Sequence, residues 1–103
     1  MFEELAAQGR SMLKRLEAER AVAPSERESL PPHERVPRQE AVDWEQRVQT
    51  RVGEECGQDT QARLAVIHEI RRTELRADES DSYTPTITAY HRIVDLLVEL
   101  DAG

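Results

Sequence analysis

A cluster of prolines between residues 23 and 37 limits the fold of this 103-residue chain more than any other feature. The segment reads APSERESLPPHERVP and holds four of the five prolines, namely Pro24, Pro31, Pro32 and Pro37. Proline lacks the backbone N–H that an α-helix requires, so no continuous helix is expected here. We therefore predict a long linker over residues 23–37, anchored by its larger apolar residues Leu30 and Val36.

Before the linker, residues 2–20 carry an amphipathic pattern. Leu5, Met12 and Leu16 lie on a stripe about 100° wide, with Gly9 where a further apolar residue would fall. The pattern predicts one helix. A glycine inside a helix costs ~1 kcal/mol relative to alanine, but it allows close packing, so we expect another backbone to approach Gly9.

After the linker, the sequence predicts a hairpin of two helices, over about 38–56 and 60–77. Gly57 is expected to end the first helix and Asp59 to cap the second. The lone tryptophan stands among charged neighbours, yet its four-residue spacing to the following valines directs it into a core. The predicted core residues are Trp44, Val48, Val52, Leu64, Ile67 and Ile70, with Val66 pointing the same way.

The last predicted helix spans about 85–101, with Thr84 as its cap and Pro85 in its first turn. Its apolar side chains cover an arc of about 200°, wider than one helix face. A small bundle has difficulty covering such an arc, and leftover apolar surface predicts a partner site. The predicted interface residues are Tyr90, Ile93, Leu97 and Leu100, with Leu5 and Met12 of the first helix. The alternative is that the arc forms the buried centre of a monomer.

These patterns together predict an all-α fold. We expect one domain over residues 1–103, built as a small bundle of about four helices with the long linker after the first helix. With only one cysteine, Cys56, no intrachain disulfide can form. The N-terminus is acidic rather than apolar, and no stretch approaches the ~20 apolar residues of a membrane span. A cytoplasmic protein is therefore expected.

The charge balance bears on the class of partner. The net charge is −7, from 21 acidic and 14 basic residues, which disfavours a surface that follows nucleic-acid phosphates. Arg71, Arg72 and Arg76 form a weak basic patch, but Glu69 and Glu74 lie among them. Ion pairs along the helix or between subunits are the better interpretation of this patch.

No spacing of histidine, cysteine, acidic or hydroxyl residues in the sequence indicates a catalytic site, a cofactor site or a metal site. His68 begins a HExxR string that lacks the second histidine of a zinc site, so His68 is interpreted as a residue at the edge of the core. His33 and His91 share no ligand spacing and are expected to face solvent. Cys56 has acidic neighbours and lies on the tryptophan stripe, which favours a small core residue over a reactive thiol.

Several short motifs cover most of the chain: LAAQGRSMLKRL at 5–16, WEQRV at 44–48, GEECGQDTQARL at 53–64 and YHRIVDLLVEL at 90–100. Their layout resembles a small helical module of bacterial anti-phage defence and abortive-infection proteins, which often precedes a TIR-like or other effector domain. The residues that correspond to its recurring motif are Trp44, Arg47, Val48, Gly57, Asp59 and Thr60. No effector domain follows Gly103, so the resemblance implies a stand-alone adaptor or an isolated module.

Three functional hypotheses follow. The leading one is a non-enzymatic interaction or adaptor module that self-associates or docks onto a protein partner. The second is a small regulator that contacts nucleic acid or a DNA-binding protein. The third is a small enzyme or ligand-binding bundle, which would require a cavity.

Overall fold

Four long helices form the bundle, as the sequence predicts. The structure, a computed structural model, describes residues 1–31 and 35–103, and no strand occurs among them. The elements, in chain order, are α1 (Glu3–Ala21), a short 3-10 helix (Pro24–Ser29), α2 (Arg38–Glu55), α3 (Gln58–Ala77) and α4 (Tyr83–Ala102). The all-α fold class is thereby confirmed.

The helices follow one another around the bundle in the order α1, α4, α3, α2. The most extensive packing joins α1 to α4, the first and last helices, followed by that of α3 against α4. Smaller contacts join α2 to α1 and to α3. The start of α1 is also bound to the end of α4, because the backbone N–H of Phe2 donates to the Asp101 carboxylate at 3.0 Å.

Helix α4 supplies the largest share of the core. Its buried residues are Pro85, Ile87, Ala89, Tyr90, Ile93, Val94, Leu96 and Leu97. This set shows that most of the wide apolar arc is covered within a single chain, while Val98 is 42% exposed. The arc is wide because α4 lies between α1 and α3 and also meets the tryptophan of α2 across the centre of the bundle.

Trp44 is the largest buried side chain and lies at that centre. Its indole Nε1–H donates to the Leu5 carbonyl at 2.9 Å, and its ring lies 4.9 Å from the Tyr90 ring at an angle of 56°. Gly9 makes room for this indole. A Cβ atom at position 9 would lie 2.6 Å from both Trp44 Cζ2 and Val94 Cγ2. The close neighbours of Gly9 are therefore side chains, which corrects the expectation of a second backbone.

Charged side chains of α1 fasten the linker and the start of α2. Arg15 donates to both oxygens of Glu40, one of them at 3.0 Å, and to the Arg35 carbonyl at 3.1 Å. The Glu19 carboxylate accepts a hydrogen bond from the backbone N–H of Val36 at 2.9 Å. Glu19 is only 6% exposed, and this bond satisfies one of its buried oxygens. The described parts of the linker therefore lie against α1.

Within the linker, Arg27 fixes the 3-10 helix. Its Nε donates to the carbonyls of Glu19 and Val22 at 3.0 and 3.1 Å, which satisfies acceptors at the end of α1. Its guanidinium also lies 4.5 Å from the centre of the Tyr83 ring, in a cation–π contact with the first residue of α4. The predicted Leu30 and Val36 anchors are half-buried.

The helix ends differ in detail from the predictions. The backbone N–H groups of Tyr83 and Thr84 donate to the Asp81 carboxylate at 3.1 and 3.0 Å, so Asp81 takes the capping role expected of Thr84. Helix α3 begins at Gln58, with Gly57 as its N-cap residue and no side-chain cap. Asp59 therefore lies in the first turn rather than at the cap. Its negative charge there interacts favourably with the helix dipole.

Candidate functional site

Four polar side chains meet where α2, α3 and α4 come together: Glu45, His68, Arg71 and Tyr90. Arg71 Nη2 donates to Glu45 Oε1 at 2.7 Å, and the Tyr90 hydroxyl donates to the other Glu45 oxygen. His68 Nδ1 lies 3.2 Å from Arg71 Nη2 and 3.6 Å from Glu45 Oε1. We call these four residues the polar cluster.

Each helix contributes to the polar cluster through its own periodicity. Glu45 follows the buried Trp44, one position off the core stripe of α2. His68 and Arg71 are three residues apart and therefore share one face of α3. Tyr90 packs its ring on the indole while its hydroxyl reaches the carboxylate, and Arg71 lies 5.8 Å from the centre of that ring.

The electrostatics of the polar cluster favour a carboxylate and a guanidinium that are both charged. Burial alone would raise the pKa of Glu45, but hydrogen bonds from Arg71 and Tyr90 outweigh it and leave that pKa below its usual value. Burial, together with the nearby Arg71, lowers the pKa of His68. Burial and the hydrogen bond to Glu45 raise the pKa of Tyr90. At neutral pH, Glu45 is thus ionised while His68 and Tyr90 are neutral.

This arrangement ties three helices together. The Glu45 carboxylate is engaged by donors from both α3 and α4, and Tyr90 is almost fully buried. Truncating one partner of such a half-buried pair leaves the other charge unpaired. The cost of that unpaired charge exceeds the stability that the intact pair contributes. The polar cluster therefore fixes how α2, α3 and α4 are placed relative to one another.

The structure corrects the predicted interface. Tyr90, Ile93, Leu97, Leu5 and Met12 are all buried within the single chain, and Leu100 is half-buried against the same core. The prediction underestimated how much of α4 its neighbours cover. Because α1 and α3 pack against α4 and Trp44 fills the centre, these six residues belong to the core and present no docking surface.

Most of the predicted core is confirmed, with corrections in α3. Trp44, Val48, Val52 and Leu64 are buried, and Ile67 is partly buried against them. Cys56 also packs on the core, as its position on the stripe indicates. Two residues predicted to point inward do not: Val66 is 56% exposed and Ile70 is 37% exposed. Both lie outside because they are on the side of α3 that is turned away from Leu64, its single fully buried residue.

The predicted basic patch does not form a common surface. Arg71 is turned inward to Glu45, while Arg72 pairs with Glu69 one turn away at 3.4 Å. Only Arg76 of the three shows no ion-pair partner among the described residues. The nucleic-acid hypothesis therefore loses one of the three residues of its patch.

The histidines agree in part with the expectations. His68 is half-buried at the edge of the core, and His91 is exposed beside Glu17. His33 lies outside the described residues. Within the described part of the chain, no group of three potential metal-binding side chains is found. None of the described helices is long and apolar enough to cross a membrane.

The structural roles of two acidic residues, Glu45 and Glu19, could not be predicted from the sequence. Glu45 lies beside Trp44 and appears there as one of several solvated acids, and Glu19 appears as an ordinary polar residue near the end of α1. Each acquires its role from a partner far along the chain: Tyr90 and Arg71 for Glu45, and the Val36 backbone for Glu19. The weak local signal for Glu45 is its place next to the core stripe.

The candidate site for interactions is instead the outward side of α3, which we call the α3 face. It is formed by residues one turn apart: Ala62, Val66, Ile70 and Thr73, all exposed.

No protein-family model, no curated protein and no solved structure matches the chain.

Proposed function

We propose that this chain is a non-enzymatic interaction module that self-associates through the α3 face. The observation that carries the proposal is the exposure of Val66 and Ile70, two large apolar side chains one helical turn apart on the same helix. Apolar side chains repeated in this way form the stripe by which one helix packs on another. The resemblance to modules of bacterial anti-phage proteins suggests a defence role for such an association.

The position of α3 in the bundle supports this proposal. Helix α3 packs on α2 and α4 with one side, through Leu64 and Ile67, and turns its opposite side to solvent. The α3 face is therefore accessible along its length without any rearrangement of the core. A partner helix can lie along it in the way that one helix packs on another inside a bundle.

The charges that flank the α3 face favour a second copy of the chain as the partner. Arg63 stands near the start of α3 and Glu74 near its end, about three turns apart. If two copies pack antiparallel with Val66 opposite Ile70, Glu74 of one copy lies opposite position 62 of the other, next to Arg63. The two-fold symmetry of this arrangement repeats the pair, so opposite charges meet at both ends of the α3 face.

The size of the α3 face sets the expected strength. A helix of 20 residues is about 30 Å long, and a stripe about 10 Å wide along it covers roughly 300 Å² per copy. A standard stable interface buries about 800 Å² per partner. We therefore expect a weak, reversible dimer with a dissociation constant in the range of roughly 10 μM to 1 mM, rather than an obligate one.

Sedimentation velocity over a range of protein concentrations tests the proposal. The wild-type chain should shift toward dimer as concentration rises, and Val66→Gln combined with Ile70→Gln should keep it monomeric. Val42→Gln is the matched control, because Val42 of α2 is 36% exposed and Ile70 is 37% exposed. A wild-type chain that stays monomeric at millimolar concentration would refute self-association, and equal dimerisation of the α3 double variant would refute this face.

Charge reversal tests the antiparallel register. Glu74→Arg should weaken the dimer, because it places two arginines together at each end of the α3 face. Combining it with Arg63→Glu should restore association, because the pairs are then reversed but still complementary. Since Arg63 also bonds Glu99 within the chain at 2.8 Å, the thermal midpoint of each variant is measured alongside.

A further inference from the structure

A groove between α2 and α3 differs in its chemistry from the other grooves of the molecule. It has a volume of about 340 Å³, within the range of small-molecule sites. Its polar lining consists of Gln49, Gln61, His68 and Arg72, all of which can donate hydrogen bonds. Its apolar lining includes the buried side chains of Val52 and Leu64.

No carboxylate of the described residues lines this groove, in a chain whose net charge is −7. Three other grooves of the molecule each contain two acids: Glu4 and Asp43, Glu19 and Glu28, and Glu17 and Asp95. The α2/α3 groove is thus a local region of donors in an acidic protein. An anion entering it meets hydrogen-bond donors and a positive charge with no carboxylate in the lining, whereas in the other three grooves the basic side chains stand beside two carboxylates.

The contacts of the polar cluster bear on which ring nitrogen of neutral His68 carries the proton. Arg71 Nη2 lies 3.2 Å from His68 Nδ1, and a guanidinium can only donate. This contact makes Nδ1 an acceptor and favours the neutral ring with its proton on Nε2. Because Nδ1 is engaged on the side of the cluster, Nε2–H is the donor that His68 has left for a ligand in the groove.

Arg72 is available to the same ligand. Its described ion-pair partner is Glu69 at 3.4 Å, and both side chains are at least 60% exposed. Such exposed pairs contribute little, so a ligand anion competes with Glu69 at low cost. A charged hydrogen bond from Arg72 to a carboxylate is stronger than a neutral one, and the guanidinium can hold both oxygens.

We propose that the α2/α3 groove binds a small organic carboxylate, with its anionic group on His68 and Arg72 and its apolar part over Val52 and Leu64. The apolar floor distinguishes such a ligand from a bare inorganic anion. Gln49 and Gln61 lie at the same groove and supply further amide donors to the carboxylate oxygens. This inference is independent of self-association through the α3 face.

Titration followed by ¹H–¹⁵N NMR of the full chain tests the proposal, with benzoate, acetate and inorganic phosphate as probes. Benzoate should cause saturable shifts at the amides of the groove residues. It should bind roughly tenfold more tightly than acetate, because about 50 Å² of additional buried apolar surface corresponds to a change of that size. Inorganic phosphate should bind more weakly than benzoate, because it gains nothing from the apolar floor.

Matched variants locate the site. Arg72→Gln should weaken benzoate binding about tenfold or more, whereas Arg76→Gln, which removes the same charge one turn further along α3, should change it less than twofold. His68→Gln retains an N–H donor and should bind better than His68→Leu. The thermal midpoint of each variant verifies folding. Shifts that never saturate, equal effects at Arg72 and Arg76, or tighter binding of phosphate than benzoate would each overturn the proposal.

Discussion

Replacing Gly9 with alanine is the sharpest test of the packing described above. In α1 this change adds one methyl group where Trp44 Cζ2 and Val94 Cγ2 would each lie at 2.6 Å from it. Carbon atoms in favourable contact are about 3.5–4.0 Å apart, so at least one neighbour must move by roughly 1 Å. The indole resists this movement because its Nε1–H is bound to the Leu5 carbonyl and its ring packs on Tyr90.

The magnitude follows from two opposing effects. Alanine improves helix propensity by ~1 kcal/mol over glycine. Overpacking a filled core costs about 1–3 kcal/mol, and disturbing the buried hydrogen bond of Trp44 adds about 1 kcal/mol or more. We therefore expect Gly9→Ala to lower the free energy of unfolding by about 2 kcal/mol. For a domain of this size, that corresponds to a fall in Tm of about 8–16 °C.

Gly53→Ala is the matched control. Gly53 lies in the last turn of α2, and no described neighbour would come within 4 Å of a Cβ atom there. The same substitution should therefore stabilise the protein, by up to ~1 kcal/mol. Both variants can be compared with the wild type by urea unfolding, followed by circular dichroism and by the fluorescence of Trp44. If Gly9→Ala is as stable as Gly53→Ala, the close packing of the indole on α1 is wrong.

Two further predictions concern the centre of the bundle. Trp44→Ala should lower the free energy of unfolding by about 3–5 kcal/mol, whereas Val42→Ala on the exposed side of α2 should change it by less than about 0.5 kcal/mol. A Tm within a degree or two of the wild type for Trp44→Ala would contradict the core assignment. The lowered pKa of Glu45 contributes stability that is present above its unfolded value of about 4.3 and is lost as pH falls through its folded pKa. Glu45→Gln should therefore lose less unfolding free energy than the wild type as pH falls through that window. If denaturant unfolding gives both proteins the same pH dependence, Arg71 and Tyr90 do not hold the ionised carboxylate.

The sequence predicted those features that depend on local periodicity. The proline cluster located the linker, and the four-residue spacing of Trp44, Val48 and Val52 identified a buried stripe whatever that stripe packs on. The same reasoning failed for Val66 and Ile70. Whether an apolar residue near the edge of a helix stripe is covered depends on where the neighbouring helices lie, and the sequence pattern of one helix does not contain that information.

The polar contacts could not be predicted for a related reason. Glu45 and Tyr90 are 45 residues apart, and their contact exists only because α2 and α4 both pack around the indole. Asp81 and Thr84 are both suitable caps, so composition alone could not decide between them. The donor-lined groove likewise brings together residues of two helices, and it becomes visible only when α2 and α3 are placed side by side.

The packing of α1 on α4 has a consequence for how the chain folds during its synthesis. The largest helix–helix contact joins the first helix to the last, so α1 leaves the ribosome long before its main partner exists. Bringing the two together closes a loop of most of the chain, and contacts so distant in sequence slow folding relative to local ones. Until α4 emerges, the apolar stripe of α1 has only α2 and its indole to pack against. Among the four helices, α1 therefore waits longest for its main partner, and its apolar stripe is the one most open to chaperones that bind exposed apolar helices.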